Sequence, residues 1–127
     1  MPIPASWSDR LLSVLRIVVG LAFLHHGTSK FFGLPPFPMP LNPLLYVAGT
    51  LELVGGALII LGLFTRPVAF VLSGMSAVGY FMVHAPKSFF PSVNGGEAIL
   101  LYCFIFLFLA AAGGGAWALD AARAKRS

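Results

Sequence analysis

The chain has 127 residues, 58% of them hydrophobic and 9% charged, with a formal net charge of +4, where an ordinary soluble domain carries about one quarter charged residues. A mean hydropathy of +0.91 excludes a hidden soluble catalytic domain and predicts an all-α polytopic membrane protein. At about 20 apolar residues per span, residues 1–127 accommodate one domain, a four-transmembrane-helix bundle. A single cysteine, Cys103, rules out an internal disulfide, and the absence of C-x-x-C predicts no metal site and no iron–sulfur or haem attachment motif.

The first predicted span covers residues 11–33. It is too long for a signal peptide and ends in "HHGTSK" without a small-residue cleavage site, so it reads as retained. Arg16, Gly20, Phe23, Gly27 and Lys30 fall on one helical face, with His26 beside it and His25 turned away. Arg16 is a functional candidate by its position in a span, and its structural reading is a helix-locking polar contact, with the side chain snorkelling towards the cytoplasmic headgroups. The stretch "LPPFPMPLNP" cannot be helical and reads as a hairpin cap.

The second span, 44–64, places Glu52 in a stripe with Ala48, Gly49, Gly55 and Gly56, small residues that let a neighbouring helix approach. A charged group at the centre of a span costs about 2.5 to 3.5 kcal/mol on insertion scales, so Glu52 requires a partner or water. The third span, 67–85, opens on Pro67, which suits a first helical turn, and carries Ser73, Ser76, Ala77, Tyr80 and His84 on one face. The fourth, 94–119, is expected to start at an Asn94 N-cap, with Glu97 completing a capping-box-like pair. Gly113 to Gly115 weaken its last turns.

Four spans put both termini on one side, together with Arg10, Arg66, Arg123, Lys125 and Arg126. Lys30 and Lys87 lie opposite. The positive-inside rule then predicts cytoplasmic termini, in a bacterial or archaeal cytoplasmic membrane or an organellar one. The basic tail "ARAKRS" is a topology signal, so no nucleic-acid partner is expected. The lipid bilayer is, with a protein partner or a second copy of the chain.

This arrangement gathers the remaining polar residues in the outer half of the bundle. From a rise of 1.5 Å per residue, Glu52 lies about 12 Å and His26 about 10 Å below the outer boundary. His84 and Glu97 sit nearer the surface. The candidate ligand or proton site is therefore His26, Lys30, Glu52, Tyr80, His84, Asn94 and Glu97, with Arg16 and Arg66 as structural polar residues. Histidine changes charge near neutrality, so His26 and Glu52 could pass a proton inward. The alternative is a set of polar contacts that only pack helices.

"LRIVVGLAFLHHGTSKFFG", "ELVGGALIILGLFTRPVA", "NGGEAILLY" and "GGGAWALD" together resemble the DoxX family of small four-helix membrane proteins. Departures are Ala118, where the family often has serine, and the "PPFPMP" cap. The resemblance marks Arg16, His26, Gly27, Lys30, Glu52, Arg66, Asn94, Gly95, Gly96 and Glu97 as family positions without giving them roles. It implies association with quinone-linked membrane oxidoreductase systems, in some members with thiosulfate oxidation, or partnership with oxidative-stress proteins. The leading expectation is a redox subunit with a bound quinone in the outer pocket, held by His26 or Tyr80, with Glu52 and His84 moving protons. Electrons would come from a partner, because the chain has no evident flavin fold, cysteine cluster or zinc site. A non-catalytic scaffold and a small proton-coupled transporter are the competing readings.

Overall fold

The computed structural model describes residues 2–126, with the side chains of Lys125 and Arg126 outside the described set. A single 3-10 turn leads into α1 (Ser8–Phe32), followed by α2 (Pro43–Leu61), α3 (Thr65–Gly79) running on into a π-turn (Tyr80–His84), the short α4 (Pro91–Asn94), α5 (Glu97–Ala112) and α6 (Leu119–Arg126). No strand occurs among the described residues. Three helical stretches, Ala5–Phe32, Pro43–Leu61 and Thr65–His84, are long and apolar enough to cross a membrane, and Glu97–Ala112 is a shorter apolar helix. At 16 residues, α5 rises about 24 Å. The molecule is an integral membrane protein.

Helix ends follow local chemistry. Asn42 caps α2 by accepting the Leu45 N–H at 2.9 Å, with Pro43 in the first turn. Gly33 and Gly62 end α1 and α2 in the left-handed conformation, with φ of 65° and 70°, which a residue without Cβ adopts freely. The fourth helix departs from expectation at both ends. Asn94 closes α4 instead of capping α5, whose N-cap is Gly96, and Glu97 makes no capping box. Instead of continuing to Leu119, α5 stops at Ala112, because Gly113 takes φ 85° and ψ −164° and the chain turns back into α6.

The helices pack as two pairs, α1 on α2 and α3 on α5, joined along a lighter α2–α3 seam. Val19, Phe23, Ile59, Ala69, Leu72, Phe106 and Leu109 form the buried centre. Phe23 meets Phe106 and Tyr102 edge-on, at centroid distances of 5.0 and 5.6 Å, the arrangement favoured by ring quadrupoles. Between α1 and α2 the backbones approach closely at Gly27. A Cβ there would lie 2.8 Å from Leu53 Cγ and 2.9 Å from the Leu53 backbone nitrogen.

The end of the bundle that carries the termini is held by Arg16, which is 0% exposed. Its Nη1 donates to the carbonyls of Ile59 at 2.7 Å and Ile60 at 2.5 Å, and its Nε donates to Gly114 O at 2.8 Å. The last carbonyls of a helix have no intrahelical donor and carry the negative end of its dipole, so a guanidinium there satisfies α2 and is itself stabilised. The snorkelling expected of Arg16 is corrected, because the side chain is buried and turns into the bundle, where it makes the helix-locking contacts. Ser13 Oγ adds a donor to Gly114 O at 3.0 Å and accepts from Trp117 N at 3.0 Å.

Asp120 completes the closure. Its carboxylate accepts the Phe64 and Thr65 N–H groups, each at 2.8 Å. It thereby caps α3 and steadies Phe64, whose φ of 52° costs a non-glycine residue about 1–3 kcal/mol. Arg66 Nε donates to Ala110 O at 3.0 Å and ties the start of α3 to the end of α5. Partial burial disfavours the charged Asp120 carboxyl, but the two N–H groups and Arg123 outweigh it and hold the group below the usual carboxylate range.

Arg16→Met removes three charge-assisted hydrogen bonds, leaving Ile59 O with Gly62 N–H and Gly114 O with Ser13 Oγ, and is expected to destabilise the fold by about 3 kcal/mol or more. Thermal unfolding in detergent measures this, and an unchanged midpoint would contradict the assigned role. Because the folded-state pKa of Asp120 is depressed, its contribution is present above the unfolded value of about 3.9 and is lost as pH falls through the lower folded value. Melting curves should therefore lose stability below about pH 4 in the wild type, with a flatter acid limb in Asp120→Asn.

Candidate functional site

At the opposite end, the Gly27–Leu53 contact sets the α1–α2 register so that Lys30, nearly one turn beyond Gly27, reaches Glu52, the neighbour of Leu53. Lys30 Nζ lies 2.8 Å from Glu52 Oε1, and the side chains are 10% and 8% exposed. The ammonium also stands 5.2 Å from the Phe37 ring centroid, contributed by the proline-rich connection. Each charge thus has its counter-charge in surroundings where a lone ion would be costly. Glu52 Oε2 makes no hydrogen bond to the described residues.

The segment "NGGE" builds the seat of a second histidine. Asn94, 2% exposed, donates from Nδ2 to Tyr80 Oη at 3.0 Å and to Ser88 O at 3.1 Å, and accepts Gly96 N–H at 2.7 Å. Its own carbonyl lies 3.1 Å from His84 Nδ1. A carbonyl can only accept, so Nδ1 carries the proton and Nε2 of the neutral ring is left as an acceptor. Gly96 makes room for this ring, since a Cβ there would fall 2.7 Å from His84 Cβ. His84 ends the π-turn, in which Ala85 N–H reaches back to Tyr80 O at 2.9 Å. Such a widened turn changes the direction of the side chains that follow and is frequent at functional sites.

Between these elements lies a cavity of about 290 Å³ lined by Phe23, His26 and Lys30 from α1, Glu52 from α2, His84 from the π-turn, Gly95, and Ala98, Ile99 and Tyr102 from α5. His26 faces the Tyr102 ring edge-on at 6.1 Å and lies 4.3 Å from the ring of His25, which is exposed. The cavity combines flat apolar walls with an imidazole at each side and an ion pair. It can accept a small ring compound, present hydrogen bonds to its oxygens, and exchange protons through His26, His84 and Glu52.

Of the residues singled out from the sequence, His26, Lys30, Glu52 and His84 line this one cavity. Lys30 lies deeper than its sequence position indicated, because its long stem bends back to the carboxylate, and it is Lys30 rather than His26 that bonds Glu52. Tyr80 and Asn94 do not line the cavity and instead brace His84. Glu97 is exposed on the first turn of α5 and does not line it. Phe23, Ile99 and Tyr102 complete the walls without having been chosen as site residues. Their apolar character marks them equally for core, and only the turn geometry at Gly95 and Gly96 aims the start of α5 at α1.

The DoxX family model matches residues 11–85. A Haemophilus influenzae protein of uncharacterised function is 47% identical over 120 residues, covering 86% of this chain and 87% of that protein. A Bacillus subtilis protein named "Putative oxidoreductase CatD" is 32% identical over 119 residues, 84% of this chain and 82% of its own length. A second uncharacterised Haemophilus influenzae protein is 30% identical over 121 residues, 86% of this chain and 80% of that one. No solved structure matches. The family match spans more than half of the chain and includes Arg16, His26, Lys30, Glu52 and His84; the chain belongs to the DoxX family.

Proposed function

We propose that the protein is the membrane subunit of a quinone-linked oxidoreductase system, with a ligand and proton site in the cavity bounded by His26, Lys30, Glu52 and His84. The observation that carries this reading is the cavity itself: titratable side chains and aromatic edges surround about 290 Å³, near the lower end of the roughly 300–1,000 Å³ of small-molecule sites. That size suits a one- or two-ring head and is small for a flavin. The name of the Bacillus subtilis relative adds support for redox association. In this reading α5, antiparallel to α3, completes a four-span bundle. The termini are cytoplasmic, following the basic residues of that end, and the cavity opens towards the outer half of the membrane.

A quinone supplies two-electron redox chemistry, taking up two protons per reduction. The protein's residues serve the proton half. Phe23, Ile99 and Tyr102 hold a flat ring and exclude lipid, while His26 donates to one carbonyl oxygen. His84, fixed by Asn94 with its Nε2 open, relays a proton from the surface. Glu52 keeps its negative charge compensated by Lys30 and offers Oε2 as the inner proton acceptor and donor. Electrons come from a redox-active partner protein. The scaffold reading draws on one observation, that Lys30 and Glu52 satisfy each other and tie α1 to α2.

Glu52→Gln separates the two. In membranes carrying the variant and its native partners, quinone reduction per recovered complex is expected to fall about a hundredfold, within the range for a lost proton-transfer group, with the partner still recovered by affinity purification. Loss of partner recovery with turnover per remaining complex intact would support the scaffold instead.

A further inference from the structure

The polar cavity lies where the two helix pairs meet, and its surroundings are closed unevenly. Phe37, half-buried in the otherwise exposed stretch 32–40, covers Lys30 from the proline-rich connection. Asn94 ties the turn before α5 to Tyr80 and Ser88 and closes the side of His84. Phe23 meets Tyr102 and Phe106 edge-on and forms the floor. The remaining side is the seam between α1 and α5, two helices whose backbones barely approach each other. Beyond the floor the same seam is hollow again, beside Leu12, Leu15 and Phe108.

Of the residues that line the cavity, only Gly95 and Ala98 are exposed. Neither carries more than a methyl group, so together they make a rim and not a wall. Ala98 lies one turn before Tyr102, whose ring reaches Phe23 and His26 of α1, so its methyl belongs to the flank of α5 that faces α1. Across the seam the half-buried Ala22 lies one turn before His26. The neighbours on the outside are Leu21 of α1 and Leu101 of α5, both exposed and apolar. The mouth of the cavity therefore faces hydrocarbon rather than water.

We propose that an uncharged ring enters the cavity sideways from the bilayer, through the α1–α5 seam, and that Ala98 at the rim is the residue that keeps this passage open. The inference rests on the quinone reading and deepens it by fixing how the ligand arrives, out of the hydrocarbon phase. A neutral ring dissolved among lipid chains reaches the rim without crossing headgroups, whereas an ion would have to shed its water to take the same path. Passage between α1 and α5 also leaves the rest of the site in place. The Lys30–Glu52 pair, the Phe37 cover and the Asn94 contacts that hold His84 all lie on other sides of the cavity.

The test follows binding and release of menadione by surface plasmon resonance on the full-length protein in tethered nanodiscs, with empty nanodiscs subtracted. A side chain that narrows a passage without touching the seated ring slows entry and exit by the same factor and leaves Kd unchanged. Ala98→Leu is placed at an exposed position that tolerates the larger side chain, and Ala22→Leu narrows the opposite rim independently. Each is expected to slow association and dissociation about tenfold, the rate equivalent of forcing a ring past a tight contact. Kd should stay within about threefold of the wild type. Phe37→Leu, on the covered side, should leave both rates as they are. Unchanged rates in both rim variants, weaker affinity without slower release, or faster exchange in Phe37→Leu would each overturn the lateral passage and leave the quinone reading standing. Failure of menadione to bind the wild type would overturn that reading and the passage together.

Discussion

A guanidinium without exposed surface, about a third of the way along an apolar helix, has to find its acceptors inside the protein, and Arg16 Nε and Nη1 find theirs in the backbone. The carbonyls of Ile59 and Ile60 belong to the end of α2, and that of Gly114 to the turn after α5. One side chain of α1 thus fixes where α2 ends and where α5 returns. With α2 ended there, the short Gly62–Phe64 connection launches α3, and Asp120 caps it from the returning chain. In water these backbone groups would find solvent. In a bilayer the cost of leaving each unpaired makes the cluster a fixed point of the fold.

From that fixed point the geometry of the far end follows. Close approach of α1 and α2 at Gly27 aligns Lys30 with Glu52, and the ion pair places a carboxylate oxygen at a cavity wall rather than in lipid. On the other helix pair the π-turn, Asn94 and Gly96 bring His84 to the same cavity. The two ends therefore have different chemistry. At the Arg16 end Nε and Nη1 are used on backbone carbonyls, which suits a lock. At the Lys30 end Glu52 Oε2 and an imidazole nitrogen keep hydrogen-bonding capacity, which suits a site.

Much of this was legible in the sequence. The first three helices could be placed to within a few residues because their apolar runs are bounded by glycine, proline and an Asn-Pro start. The fourth was overextended because hydropathy stays high through "AAAGGGAWAL", while the backbone at Gly113 leaves helical geometry. Asn94 has the composition of a cap, yet its side chain is engaged with Tyr80 and Ser88, a contact that depends on where α3 ends. The acceptors of Arg16 are main-chain carbonyls, which no side-chain pattern announces. The gathering of His26, Lys30, Glu52 and His84 followed from helix direction and depth, but which of them touch depends on helix rotation, set here by single glycines.

Whether the cavity holds a redox ligand in the cell is the claim on which the functional account turns. The most direct measurement is mass spectrometry of an organic extract from protein purified gently from its native membrane, comparing the wild type with a folded His26→Ala variant. The account predicts quinone enriched over bulk membrane lipid in the wild type and reduced in the variant. Quinone at the bulk-lipid ratio in both would contradict it and leave the Lys30–Glu52 and His84–Asn94 contacts as parts of a helix scaffold.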